Sequence, residues 1–260
     1  KAQTTRNRII CVYTDEEKQI VFMDTPGVHK PKHKLGEFMV DAAIESLKET
    51  EAVLFVVAGN EKRGPGDNFI IEQLKRVKVP VFLVVNKIDT LQKEQVLEAI
   101  VSYQDAYPFA GVIPISAKNK ENLSELLTVL GEHLPEGPQY FPEDMITDQP
   151  ERLIISDIVR EKILLSTRDE IPHAIAVDVD EMKTRDDGTT YIRATIYCER
   201  DSQKGIIIGN KGALLRKIGA EARIDIQKLL ATKVYLDLWV KVKKDWRNKS
   251  GMLSELGYKK

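Results

Sequence analysis

Three runs of nearly unbroken apolar residues, AVLFVVA at 52–58, VPVFLVVN at 79–86 and GVIPIS at 111–116, are separated by segments whose apolar positions recur at helical spacing. Runs without alternation predict strands buried on both faces. With helices predicted over 35–48, 68–76, 93–106 and 122–133, they predict a mainly parallel sheet with helices on each side. Upstream, RIICVY and QIVFMD flank the charged turn TDEEK and predict a hairpin. The pattern stops at PEGPQYFPEDMITDQPER, where Pro135, Pro138, Pro142 and Pro150 rule out one helix or one central strand. Beyond it come a helix over 153–168, two alternating strands around Asp187-Gly188, the short apolar GIIIG, a helix over 213–230 and the strand KVYLDLWVKVK. The reading is an α/β nucleotide-type domain over 1–134, a linker over 135–150, and an α+β domain of order α-β-β-α-α-β over 151–260.

Composition narrows the function classes. The 260 residues are 42% hydrophobic and 30% charged, enough for two folded domains. No stretch reaches the roughly 18 apolar residues of a membrane span, so a cytoplasmic protein is expected. Cys11 and Cys198 stand far apart, and His29, His33, His133 and His173 form no ligand cluster, which argues against a disulfide framework or a zinc hydrolase. The net charge of -1 conceals an asymmetry, because residues 201–260 hold 14 Lys and Arg against 6 Asp and Glu. A basic end on an otherwise acidic chain fits contacts to a phosphate backbone, although a solvated basic face looks the same.

Three motifs follow three strands, where open α/β sheets bind ligands. In Asp24-Thr25-Pro26-Gly27, a carboxylate at a strand end can hold Mg²⁺ and a glycine lets its amide approach a terminal phosphate; a plain turn is the alternative. In Asn86-Lys87-Ile88-Asp89, Asp89 can accept from both guanine N1–H and N2–H₂, where adenine offers a bare acceptor. Asn86 would bond the base edge or brace neighbouring loops, and the stem of Lys87 would lie over the ring. Asp89 as a simple helix cap is the competing reading. Ser116-Ala117-Lys118 would place an amide near guanine O6. Each motif is weak alone; together, in this order and at these strand ends, they point to a guanine nucleotide.

In the second domain, Gly209-Asn210-Lys211-Gly212 sits between two predicted helices, where a GxxG corner lets backbone amides and a helix start approach RNA phosphates. A bare helix corner is the alternative. Lys241, Lys243, Lys244 and Arg247, mixed with Trp246 and Tyr258, add a basic and aromatic tail suited to RNA, while Trp239 inside the strand reads as a core aromatic.

The motifs, the linker ITDQPERL, the following IVREK and the closing LGY resemble the Era-type GTPases over essentially the whole chain. The resemblance implies a GTPase domain joined to a type II KH domain, with GTP or GDP and Mg²⁺ as cofactors, Asp24 and Thr5 at the metal, and Thr5 within Gln3-Thr4-Thr5-Arg6 as the switch threonine beside its competitor Thr4. It also implies as partners the 3′-terminal region of small-subunit ribosomal RNA and the small subunit during assembly, with peripheral inner-membrane contact and no DNA. Two features depart from the pattern. No GxxxxGK[ST] loop occurs, so the chain by itself should bind nucleotide poorly and be inactive, and the start at Lys1 suggests that the natural protein continues upstream. Val28 stands where many small GTPases carry a water-orienting glutamine. A GTP-independent RNA-binding scaffold with a degenerate nucleotide fold is the alternative function.

Overall fold

The computed structural model describes residues 5–27, 31 and 33–258. The described residues form two compact units, one drawn from Asn7–Lys30 and Met39–Thr147, the other from Lys1–Arg6, Pro31–Phe38 and Asp148–Lys260.

The first unit holds β1 (Ile9–Thr14), β2 (Gln19–Asp24), most of α1 (Lys34–Ser46), β3 (Val53–Ala58), α2 (Pro65–Leu74), β4 (Val81–Asn86), α3 (Lys93–Gln104), β5 (Gly111–Pro114) and α4 (Leu123–Gly131). β1 and β2 pair as an antiparallel hairpin, while β4 lies between β3 and β5 in a parallel ladder. Alternate residues of β4 divide between two cores. Val81, Leu83 and Val85 pack with Ile71 and Leu74 of α2 and Tyr103 of α3, and Phe82 and Val84 pack with Leu126 and Leu130 of α4 and Ile20 of β2. Burial on both faces therefore holds for β4 alone. Val56 of β3 is 54% exposed and Val112 of β5 is 38% exposed, because each strand has a ladder partner on one side only among the described residues.

The proline-rich stretch has no helix and no named strand between Leu134 and Pro150, yet it is held in place. Oε1 of Gln19 accepts the amides of Tyr140 and Phe141 at 3.0 Å each, and its Nε2 donates to Phe141 O at 2.9 Å. Further on, Val12 N donates to Ile146 O at 2.8 Å and Thr147 Oγ1 to Ile10 O at 2.7 Å. These residues belong to no ladder, so the N–H groups of Tyr140 and Phe141 and the carbonyl of Phe141 find their partners in a side-chain amide instead. The unit consequently runs to Thr147 rather than ending near 134.

The second unit comprises α5 (Glu151–Ser166), α6 (Ile171–Ala174), β6 (Ala176–Thr184), β7 (Thr190–Cys198), α7 (Asp201–Ile208), α8 (Ala213–Leu230), β8 (Val234–Val242) and α9 (Ser250–Glu255). β7 is central, antiparallel to β6 and parallel to β8. Ile155, Val159 and Ile163 of α5, Ile207 of α7, and Ile218, Ala222 and Ile226 of α8 bury one face of this sheet. The α-β-β-α-α-β order is as the sequence suggests, with two short helices added.

Two upstream pieces pack into this unit. Arg6 is 2% exposed, donates from Nη1 to Ile175 O at 2.6 Å and from Nη2 to Pro172 O at 3.3 Å, and lies 5.9 Å from the ring centre of Trp246. Lys34, opening α1, donates its amide to Asn248 Oδ1 at 3.2 Å, and Phe38 meets Tyr258 edge-on at 5.9 Å.

Candidate nucleotide and RNA sites

The guanine-type site is built at the exits of β4 and β5. Because Val81 to Val85 are all buried, the point at which β4 leaves the core is fixed, and the chain turns there through Lys87 in a left-handed conformation (φ 69°) into a 3-10 turn at Ile88–Thr90. Asn86 Oδ1 accepts the amides of Lys87 at 2.7 Å and Ala117 at 3.1 Å. Ser116, fully buried, donates its hydroxyl to Asp89 Oδ1 at 2.7 Å and accepts from Asn119 N at 3.1 Å. A backbone bond from Ile88 N to Ile115 O at 3.3 Å closes the two loops on each other.

Of the two roles weighed for Asn86, the structure shows the brace: its oxygen ties NKID to SAK. The Ala117 amide is engaged in that brace. Asp89 is oriented by Ser116 through one oxygen, and no bond from a described residue is seen on the other, so the second oxygen can accept from a ligand. Lys87 Nζ stands 3.6 Å from Glu61, with both side chains largely exposed, a contact worth little by itself. Lys118 is exposed beside Ala117.

At the end of β2, Asp24 is exposed, Thr25 half-buried, Pro26 buried and Gly27 exposed. A Cβ added to Gly27 would meet nothing within 4 Å, so internal packing does not demand the glycine and a phosphate could approach its backbone closely. Thr5 belongs to the other compact unit. Gln3, Thr4 and Val28 lie outside the described residues. No group of three or more His, Cys, Asp or Glu placed to hold a metal occurs among the described residues. A Mg²⁺ ion needs no such cage, since it keeps several waters and takes one or two protein oxygens besides the phosphates; the exposed carboxylate of Asp24 at a strand end fits that demand.

The RNA-type site is the corner between α7 and α8. Gly209 has φ 72° and ψ 179°, a region essentially reserved for glycine, and a Cβ there would come 2.8 Å from Leu214 Cβ. Gly212 caps the start of α8 at φ 79°, and Lys211 between them is also left-handed at φ 47°. Glycine is thus required at 209 by close approach and at 212 by conformation. Asn210 and Lys211 are exposed, ahead of an 18-residue helix whose first amides point outward. Of the three isoleucines before the corner, Ile206 is exposed and Ile207 is core. Arg216 was not anticipated: its Nη2 donates to Lys211 O at 3.0 Å, adding a second cation beside the corner. Its place in the first turn of the helix after GNKG is the signal that could have found it.

The tail divides differently from the sequence reading. Lys241, Lys243 and Lys244 are exposed. Arg247 instead turns inward, donating to Glu199 Oε2 at 2.5 Å and His173 O at 3.4 Å, so it ties α9's approach to the sheet rather than presenting a free charge. The tryptophans reverse their expected roles. Trp246 is fully buried and donates from Nε1 to Ala174 O at 2.9 Å, whereas Trp239 is 54% exposed.

With this geometry in hand, relatives locate the chain. Residues 2–136 match the elongation factor Tu GTP binding domain, and residues 170–247 match the KH domain. Among solved structures, Era in complex with MgGDPNP and nucleotides 1506–1542 of 16S ribosomal RNA is 41% identical, with a TM-score of 0.95, covering 99% of this chain and 88% of that one. A single-substitution variant of Aquifex aeolicus Era bound to GDP and AlF4⁻ is likewise 41% identical over the same shares, with a TM-score of 0.94.

Proposed function

The chain belongs to the Era family of GTPases, and from that premise we propose that it is a GTP-binding and GTP-hydrolysing switch protein that binds small-subunit ribosomal RNA through its KH domain and assists small-subunit assembly. The observation that carries the nucleotide half is the Asp89 carboxylate, fixed by the buried Ser116 hydroxyl at 2.7 Å inside loops clasped by Asn86. A preset acceptor at a strand end loses little orientational freedom when a base with two adjacent donors arrives, which is how a site discriminates guanine from adenine. Asp24, at the end of β2, is the protein oxygen we assign to Mg²⁺, which when bound would offset phosphate charge. The phosphate loop itself is not among these 260 residues, so hydrolysis belongs to a chain that carries one.

The RNA half rests on the GNKG corner with Asn210 and Lys211 outward, and on relatives one of which is solved with a 16S ribosomal RNA fragment. We extend the proposal to the 3′-terminal region of that RNA as target, and to a cytoplasmic location with peripheral inner-membrane contact, which cell fractionation tests. In a chain extended upstream by a GxxxxGK[ST] loop, bound GDP should be displaced by GTP and not by equal ATP. Equal displacement by ATP would remove the base-recognition reading and leave the scaffold alternative.

A further inference from the structure

The three helices that bury the second unit's sheet all lie on one face, and the residues of β8 alternate accordingly. Leu236, Leu238 and Val242 pack against the core, Val240 is part of it, and a Cβ on Gly219 of α8 would touch Leu238 Cδ1 at 3.4 Å. Tyr235, Asp237, Trp239 and Lys241 therefore line the opposite face, with Lys243 next in the same alternation. β8 has a ladder partner only in β7 among the described residues, so it is an edge strand.

We propose that this outer face of β8 is a second RNA-contact surface, on which Trp239 stacks a base of an extended single strand while Lys241 and Lys243 hold its phosphates. The inference rests on the RNA reading of the GNKG corner, and adds a site on the other side of the same sheet.

Trp239 has the properties of a stacking platform. Its Nε1 donates to Asp237 Oδ2 at 2.9 Å, so the polar edge of the indole is satisfied and the ring face stays open to solvent. Tyr235, four residues earlier, is exposed too, but its ring stacks on Tyr191 at 5.9 Å and carries Arg185 at 4.9 Å. Only Trp239 of the two therefore offers an unclaimed face. Single exposed apolar residues are common and carry no message alone. Here the aromatic ring continues into two exposed lysines, spaced two residues apart on one side of a strand, which is the aromatic and basic alternation that sequence-tolerant single-strand binding uses.

The acidic groups of the face set the direction of the path. Asp178, Asp180 and Glu181 lie on β6, across β7 from Trp239; Asp180 accepts from Thr195 at 2.6 Å, and Glu181 pairs with Lys183 at 2.7 Å. On β8 itself, Asp237 is occupied by Trp239 and by Tyr191 OH at 3.1 Å. Arg193 of β7, on the same face, is paired with Glu181 at 3.5 Å and with Asp237 at 3.7 Å, so Lys241 and Lys243 carry the positive strip on past Trp239, and the strand would run along β8 rather than across the sheet.

The test uses the full chain and two single strands cut from the 3′ end of small-subunit ribosomal RNA. One is about four nucleotides, the span of one KH clamp; the other is roughly three times longer and contains the first. Trp239→Ala should lower affinity for the longer strand roughly tenfold or more and leave the short one unchanged, with Trp239→Phe retaining most of the binding. Because Trp246 is fully buried, the longer strand should also quench the fluorescence of Trp239 alone, a signal that Trp239→Phe removes. Equal loss on both strands, or none on either, overturns the second surface and leaves the face to a protein partner. Failure of the wild-type chain to bind either strand would instead bring down the KH reading on which this one rests.

Discussion

Asp89→Asn should convert guanine preference into xanthine preference in a chain that carries a phosphate-binding loop. Ser116 donates to one carboxylate oxygen at 2.7 Å, and in the variant the amide oxygen can keep that bond, which turns the NH₂ toward the base. An NH₂ cannot accept from guanine N1–H or N2–H₂ but can donate to xanthine O2. Losing two hydrogen bonds to a charged acceptor costs about 3 to 6 kcal/mol before compensation, or roughly 10²- to 10⁴-fold in GTP affinity. Competition among GTP, ATP and XTP measures it. Unchanged preference for GTP would mean that Asp89 is only the cap of a 3-10 turn.

The second large effect is expected from Arg6→Ala in the C-terminal unit. Burial pulls the guanidinium pKa below its ordinary value, with Tyr258 acting in the opposite direction, and Nε has no partner in its buried position. What holds the group there is its donation to the carbonyls of Ile175 and Pro172 and its place over Trp246. Alanine leaves both carbonyls without that donor and opens a void beneath the indole, offset in part by relieving a desolvated charge, for a net cost of about 2 to 4 kcal/mol. Arg6→Met keeps the packing of the stem and should lose about half as much. Denaturant unfolding followed by Trp246 fluorescence in a Trp239→Phe background reads the change. A loss within about 0.5 kcal/mol, the range of ordinary surface substitutions, would show that Arg6 is dispensable to the unit.

Arg6 marks where the sequence stops being informative. Its partners are backbone carbonyls 166 and 169 residues away, and carbonyls carry no residue-type signature. The clasp of Gln19 on Tyr140 and Phe141 was hidden for the same reason. By contrast, the buried run VFLVV and the periodic helices made both sheets legible, since burial acts directly on side-chain type. The three strand-end motifs were legible because loops that hold a ligand are restricted in chemistry, and NKID and SAK do interlock. The exposure of Trp239 was available and misread: the alternation of β8 already groups it with Asp237 and Lys241 against Leu236, Leu238 and Val240. Reading tryptophan as core by its type overrode the period of two. Trp246 follows the opposite logic, in a 3-10 turn where no period applies and its burial comes from the Ala174 carbonyl, Arg6 and the Tyr258 ring stacked at 6.4 Å.

The central claim, an RNA-binding KH domain joined to a guanine-nucleotide domain, is tested most directly at GNKG. Asn210 and Lys211 are exposed, while Gly209 and Gly212 carry the backbone conformation, so Asn210→Asp with Lys211→Asp places carboxylates where phosphates must sit without disturbing the corner. Titration of the ribosomal RNA 3′-terminal strand at several salt concentrations, with circular dichroism as the folding control, is the decisive measurement. The wild-type affinity should fall steeply with salt, and the folded double variant should bind much more weakly with a shallower slope. Equal affinity and slope for a folded variant would contradict the account and reduce GNKG to a helix corner.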